Sequence, residues 1–140
     1  MKVDGNCLCG HITYQAEVDP EKVYVCHCTD CQTHAGTAFS VAIGVVDEQF
    51  DLTGGELKFY EKIADSGTVR ALAFCPECGT RIYAKTVGEG TGFLGLRLGT
   101  VRQRRQFKPK LQVWHRSALD WVDDLNSIPK MEQQPSLDGR

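Results

Sequence analysis

The sequence predicts a mainly β protein with one short helix near its C-terminal end. Three observations carry that reading. Residues 11–18 alternate strictly, with Ile12, Tyr14, Ala16 and Val18 on one side and Thr13, Gln15 and Glu17 on the other, which is the period of a half-buried strand. Segments rich in β-branched and aromatic residues recur along the chain between turn signals. Convincing helical spacing with a cap signal is confined to residues 117–125.

Taken in order, the segment after the first alternating run is a strand expected at Val23 to Val25, which leads straight into Cys26. Residues 29–35 (TDCQTHA) read as a short helical turn, capped by Thr29 or Asp30 and closed by Gly36. The apolar run from Phe39 to Val46 is a core strand. A turn at Thr53-Gly54-Gly55 precedes three strands at 56–62, 68–74 and 81–86, the second of which ends at Cys75. Two more are expected at 92–99 and 110–115. In residues 117–125 Ser117 stands as N-cap and Asp120 at the capping-box position, while Trp121, Val122 and Leu125 share one face. Residues 1–129 are expected to form one zinc-binding domain, and the polar residues 130–140 a flexible tail.

With 41% hydrophobic and 24% charged residues, the chain has ordinary globular usage rather than that of a disordered segment. The net charge of -2 gives no global attraction to nucleic acid or acidic lipid. Neither partner is expected. The first residues, MKVDGNCLCGHITYQ, lack the apolar core of a secretory signal, and no run reaches the roughly 18 apolar residues of a membrane span. A cytoplasmic location follows as the expectation. In that reducing compartment, seven cysteines are better read as metal ligands or redox groups than as disulfide halves, and an odd number cannot pair completely.

The cysteines fall into three groups: Cys7 and Cys9 in CLCG, Cys26, Cys28 and Cys31 in CHCTDC, and Cys75 and Cys78 in CPECG. In the last, Pro76 presets the backbone and Gly79 supplies the positive φ that lets N–H groups point at sulfur. The CLCG turn does the same in less space. Together these turns give four thiolates, the complement of a closed tetrahedral zinc site, from distant parts of the chain. Cys26, Cys28 and Cys31 are close enough to share one ion and number three, as in catalytic zinc sites that keep a position for substrate. Three thiolates on a dication make a poor Lewis acid for hydrolysis but a good seat for a soft thiol. A closed structural or redox site, completed by His27, His34 or another residue, stays open as an alternative. His11 and His115 read as surface or packing residues. Residues 102–110 (Arg102, Arg104, Arg105, Lys108 and Lys110) read as a solvated basic hairpin with some capacity for an anionic ligand.

The stretches GNCLCGHITYQ, VCHCTDCQTHAGTAF and AFCPECGTRIY, together with Trp114, resemble the glutathione-dependent formaldehyde-activating enzyme family, whose domain also occurs in centromere protein V. The resemblance covers roughly residues 3–115, and all seven cysteines stand in the family's order and spacing. It implies an Mss4-like β-tent of antiparallel sheets with zinc knuckles. It also implies two Zn2+ per chain, a structural ion on Cys7, Cys9, Cys75 and Cys78 and a catalytic, labile one on Cys26, Cys28 and Cys31. The implied activity is that of a carbon-sulfur lyase, an S-(hydroxymethyl)glutathione synthase type of enzyme, with a small thiol such as glutathione and a small aldehyde such as formaldehyde as partners. No glutathione-recognition motif is present to assign substrate-binding residues. The competing expectations are a non-catalytic zinc module that binds protein or nucleic acid through residues 102–110, and a redox or metal-buffering protein.

Overall fold

The computed structural model describes residues 1–88 and 92–135. Its strands are, in chain order, β1 (Lys2–Asn6), β2 (Thr13–Glu17), β3 (Val23–Cys26), β4 (Ser40–Val46), β5 (Phe50–Gly54), β6 (Lys58–Ile63), β7 (Val69–Phe74), β8 (Arg81–Val87), β9 (Phe93–Arg97) and β10 (Leu111–Val113). A single α-helix among the described residues, α1 (Thr29–Ala35), follows β3. The strands make two sheets, a three-stranded one in the order β1-β2-β5 and a seven-stranded one in the order β10-β3-β4-β9-β8-β7-β6. Neighbours are antiparallel except β10, which lies parallel to β3 with Val113 opposite Cys26.

The core lies between the sheets. The alternation seen in residues 11–18 places Ile12, Tyr14, Ala16 and Val18 inward, where with Val3 they meet Val23, Ile43, Val45, Ile82, Leu94 and Leu96 of the larger sheet. Each fully buried aliphatic side chain contributes about 1.5–3 kcal/mol relative to exposure. Tyr14 is buried because its hydroxyl finds Thr100 Oγ1 at 2.8 Å. Opposite Tyr14 in the register stands Gly5, where any side chain would overlap the Tyr14 ring and the Thr100 carbonyl.

Several local expectations change. The strand β1 was not foreseen, because Asp4-Gly5-Asn6 reads as a turn in isolation; it forms because Val3 and Gly5 face Ala16 and Tyr14 across the ladder. Likewise β5 takes in Thr53 and Gly54 of the expected turn, which survives at Gly55 with φ 81°. The helical turn at 29–35 is capped by Cys28 rather than by Thr29 or Asp30. The C-terminal helix is a 3-10 helix over Asp120–Ser127 without a side-chain cap, and Ser117 instead closes a separate 3-10 turn, His115–Ser117. None of its residues is buried, so tertiary packing gives its apolar face no reason to hold α geometry. The basic stretch 102–110 is a crossover rather than a hairpin, since β9 and β10 are separated in the sheet by β4 and β3. Residues 129–135 are exposed and outside any helix or strand, and 136–140 of the expected tail lie outside the described residues. Among the described residues no helix is long and apolar enough to cross a membrane.

Candidate metal centres

Two groups of sulfurs converge. Cys7, Cys9, Cys75 and Cys78 have their Sγ atoms within 4.8 Å of one another, and so do Cys26, Cys28 and Cys31. The first group joins the loop after β1 to the loop after β7. Its Cys7–Cys9 and Cys9–Cys75 sulfur distances are 3.6 and 3.8 Å. A tetrahedron with zinc–sulfur bonds of about 2.3 Å has edges of about 3.8 Å, so this donor set fits zinc. Backbone N–H groups support the sulfurs: Ile12 donates to Cys7 at 3.2 Å, and Glu77 and Cys78 to Cys75 at 3.4 and 3.5 Å. Gly10 and Gly79, at φ 83° and 79°, make the tight returns that aim these groups. The two loops are clasped by Leu8 N–H donating to Thr80 Oγ1 at 3.1 Å. Thr80 also hydrogen-bonds Cys78 through its hydroxyl, the main reason the Cys78 thiol is pulled down to about 5.

The second group forms where β3 turns into α1. Cys26 ends the strand, Cys28 caps the helix with its sulfur accepting the Cys31 N–H at 3.2 Å, and Cys31 lies in the first turn. Cys26 is buried, whereas Cys28 and Cys31 are half-buried. Without metal the proton stays on Cys26: hydrogen bonding to Cys31 and burial push its thiol up, while the same bond, the Ser40 hydroxyl and the Arg97 charge pull Cys31 down. Three soft donors within one short turn also suit zinc, and the set ends at three.

His27, between two of these cysteines, turns away from them. It is fully buried, its Nε2 meets Gln112 Oε1 at 2.8 Å, and its ring packs edge-on against Phe39 and His115. The Gln32 amide donates to the His27 carbonyl at 2.8 Å and the Ser117 carbonyl at 3.0 Å. His27, Gln32 and Gln112 therefore tie the cysteine turn to the C-terminal segment, and the His27 ring does not join the three sulfurs within 4.8 Å. His115, read from sequence as a surface or packing residue, is part of that clasp.

The three sulfurs open onto a cavity of about 310 Å³. Around them stand Tyr24, His34, Arg70, Arg97 and Trp114, with Lys62 ion-paired to Asp30 at the rim. Trp114 has φ 55°, the one non-glycine residue at positive φ among those described, and its half-exposed indole carries the Arg116 guanidinium 5.0 Å from the ring centroid. Burial, then the charges of Arg81 and Arg97, push the His34 imidazole down, keeping it neutral near pH 7. Among these groups only the cysteines, His34 and Trp114 were marked in the sequence. Tyr24, Lys62, Arg70 and Arg97 sit in ordinary strand patterns and carried no local signal. The patch at 102–110 lies elsewhere, and part of its charge is engaged: Arg102 pairs with Asp4 at 2.8 Å and Lys110 with Glu21 at 3.9 Å.

With this geometry in view, similarity to known proteins is informative. Residues 2–117 match the family described as GFA, glutathione-dependent formaldehyde-activating enzyme. An uncharacterized lyase of Schizosaccharomyces pombe (strain 972 / ATCC 24843) is 30% identical over 92 residues, covering 65% of this chain and 64% of that protein. The match thus spans slightly less than two thirds of the relative. In three dimensions the chain resembles a Rhodobacter sphaeroides protein of known crystal structure, with a TM-score of 0.61 at 15% identity, over 79% of this chain and 99% of that one. At that identity the likeness concerns the fold.

Proposed function

Because the chain belongs to the glutathione-dependent formaldehyde-activating enzyme family, we propose that it is a zinc-dependent carbon-sulfur lyase, forming or cleaving a thiol-aldehyde adduct such as S-hydroxymethylglutathione. The observation that carries this reading is the contrast between the two sulfur sets: four converge in a self-contained group, three at the wall of a cavity. In this reading Cys7, Cys9, Cys75 and Cys78 hold a structural zinc, Cys26, Cys28 and Cys31 a catalytic one, within a domain of residues 1–129 in the cytoplasm. Zinc on the three-sulfur set would supply a position for a thiol sulfur and favour its ionised form.

The chain's own residues do the rest. The cavity walls, Trp114 among them, confine the thiol and the aldehyde and raise their effective concentration. In the forward direction a carbon–sulfur bond forms at the carbonyl carbon, the carbon–oxygen π bond breaks, and the thiol proton ends on the oxygen. No electrons are gained or lost overall. The Tyr24 side chain lines the same cavity, so its hydroxyl would be available to the oxygen on which negative charge develops.

The test is adduct formation from glutathione and formaldehyde followed by NMR, scored as rate above the uncatalysed background, alongside zinc content per chain. The reading expects two zincs, with Cys28→Ser removing one zinc and all rate enhancement. Full enhancement in Cys28→Ser, or none in the two-zinc protein, refutes it.

A further inference from the structure

Arg70 and Arg97 stand on β7 and β9, with β8 between them, and both line the cavity of the three-cysteine site. Between them the floor is made of small or apolar residues, Ala84 and Leu72. Each guanidinium spends one nitrogen on a hydroxyl: Arg70 Nη1 donates to Thr86 Oγ1 at 2.7 Å and Arg97 Nη1 to Ser40 Oγ at 3.1 Å. Neither forms an ion pair among the described residues, although both are half-buried. The one carboxylate lining the cavity, Asp30, is already held by Lys62. Arg97 lies beside the cysteines, since the Ser40 to which it donates stands opposite Cys26 in the register. Arg70 has no such partner beyond Thr86. Two half-buried guanidiniums with free donors and no carboxylate are an unfinished arrangement, because buried charge is ordinarily matched. The planar fork of arginine matches a carboxylate in particular.

We propose that Arg70 and Arg97 form an anion subsite that holds a carboxylate of the thiol substrate, so that the cavity selects acidic thiols over neutral ones. The proposal rests on the reading of Cys26, Cys28 and Cys31 as the seat of the substrate sulfur. It places recognition of the substrate's carboxylate on the two strands, away from the basic stretch 102–110. The cavity volume of about 310 Å³ sits at the small end for ligand clefts, which suits a thiol of tripeptide size or less.

Equilibrium binding to the zinc-loaded full chain tests it, read by calorimetry and by Trp114 fluorescence. Three probes separate the contributions: glutathione, its diethyl ester, in which the carboxylates are masked, and S-methylglutathione, in which the thiol is masked. Wild type is expected to bind glutathione at least tenfold more tightly than the diester, as the loss of a charge-assisted hydrogen bond implies. Arg70→Gln and Arg97→Gln should each weaken glutathione about tenfold, leave the diester unchanged and keep two zincs per chain. Arg→Lys at either position should recover part of the loss. Equal binding of acid and diester by wild type overturns the proposal, and that comparison needs no variant to fold. A parallel loss for both probes in the variants also overturns it, since the arginines would then only offset the cysteine charge. If S-methylglutathione binds as tightly as glutathione while the diester binds weakly, the anion subsite stands and the sulfur reading falls. If acid and diester bind equally and S-methylglutathione does not, the sulfur reading stands and the subsite falls.

Discussion

Replacing Cys75 by alanine tests the closed sulfur group most directly, because Cys75 is fully buried and its sulfur lies 3.8 Å from that of Cys9, 66 residues away in sequence. A metal held across that separation closes a loop much as a disulfide does. The chain-entropy relation for a loop of that length gives about 4 kcal/mol of stabilisation. The N–H groups of Glu77 and Cys78 also lose their acceptor in the variant. Domains of this size have roughly 5–15 kcal/mol in total, so the loss is a large fraction. For 140 residues it corresponds to a fall in melting temperature of roughly 12 to 16 °C. The assay is thermal unfolding of zinc-loaded wild type and Cys75→Ala by circular dichroism, with and without a strong chelator, alongside soluble yield. Wild type should lose stability on chelation, and the variant should start low and respond little. If Cys75→Ala melts within about 3 °C of wild type with full yield, the metal does not clamp the two loops and the argument fails.

Three further outcomes follow. Cys28→Ser should keep the wild-type melting temperature to within a few degrees while mass spectrometry of the native protein counts one zinc fewer, since that sulfur serves the half-buried set at the cavity. Gly95→Ala should cost about 1–3 kcal/mol in denaturant unfolding, because the new Cβ would stand 2.6 Å from the Tyr24 hydroxyl; adding Tyr24→Phe should recover part of that loss. At Trp114, where φ is 55°, the glycine variant should be more stable than the alanine variant by about 1 kcal/mol, and the reverse order would remove any claim of backbone strain there.

What the sequence disclosed and what it concealed divide along the range of the signal. The two glycine-closed cysteine turns and the CHCTDC cluster are local, so their capacity to hold a metal is legible without the fold. The alternation of Ile12, Tyr14, Ala16 and Val18 was equally local, and it marks the inner face of the smaller sheet. By contrast, β1 depends on Gly5 meeting Tyr14 across a ladder, and β10 is parallel to a strand far earlier in the chain. Neither can be read from a window of a few residues. The placement of charge is long-range in the same way. Contiguous Arg and Lys residues at 102–110 drew attention, yet Arg102 and Lys110 reach Asp4 and Glu21, while the cations that face the thiols come one each from β6, β7 and β9. Scattered positions that a sheet gathers leave no composition signal. The 3-10 geometry of Asp120–Ser127 is the opposite case, a pattern that looked helical but found nothing to pack against.

The difference between the two sulfur sets is set by how each is braced, and that bears on what the second set can do. Backbone amides from its own turns hold the four-cysteine group, which uses every cysteine outside CHCTDC. No cysteine is therefore left to complete the other set. His27, which lies between Cys26 and Cys28 in sequence, is held in its own packing by Gln112, Phe39 and His115, so reaching the sulfurs would require breaking a hydrogen bond and two ring contacts. The third direction from Cys26, Cys28 and Cys31 is the cavity, where the chain presents guanidiniums, an indole, a phenol and the His34 imidazole, which does not join the three sulfurs within 4.8 Å. On the proposed reading a fourth soft ligand would come from solution, into a cavity that Arg70 and Arg97 line with positive charge. If that reading holds, sulfur chemistry would fix which atom is captured and the arginines would decide which molecule carries it.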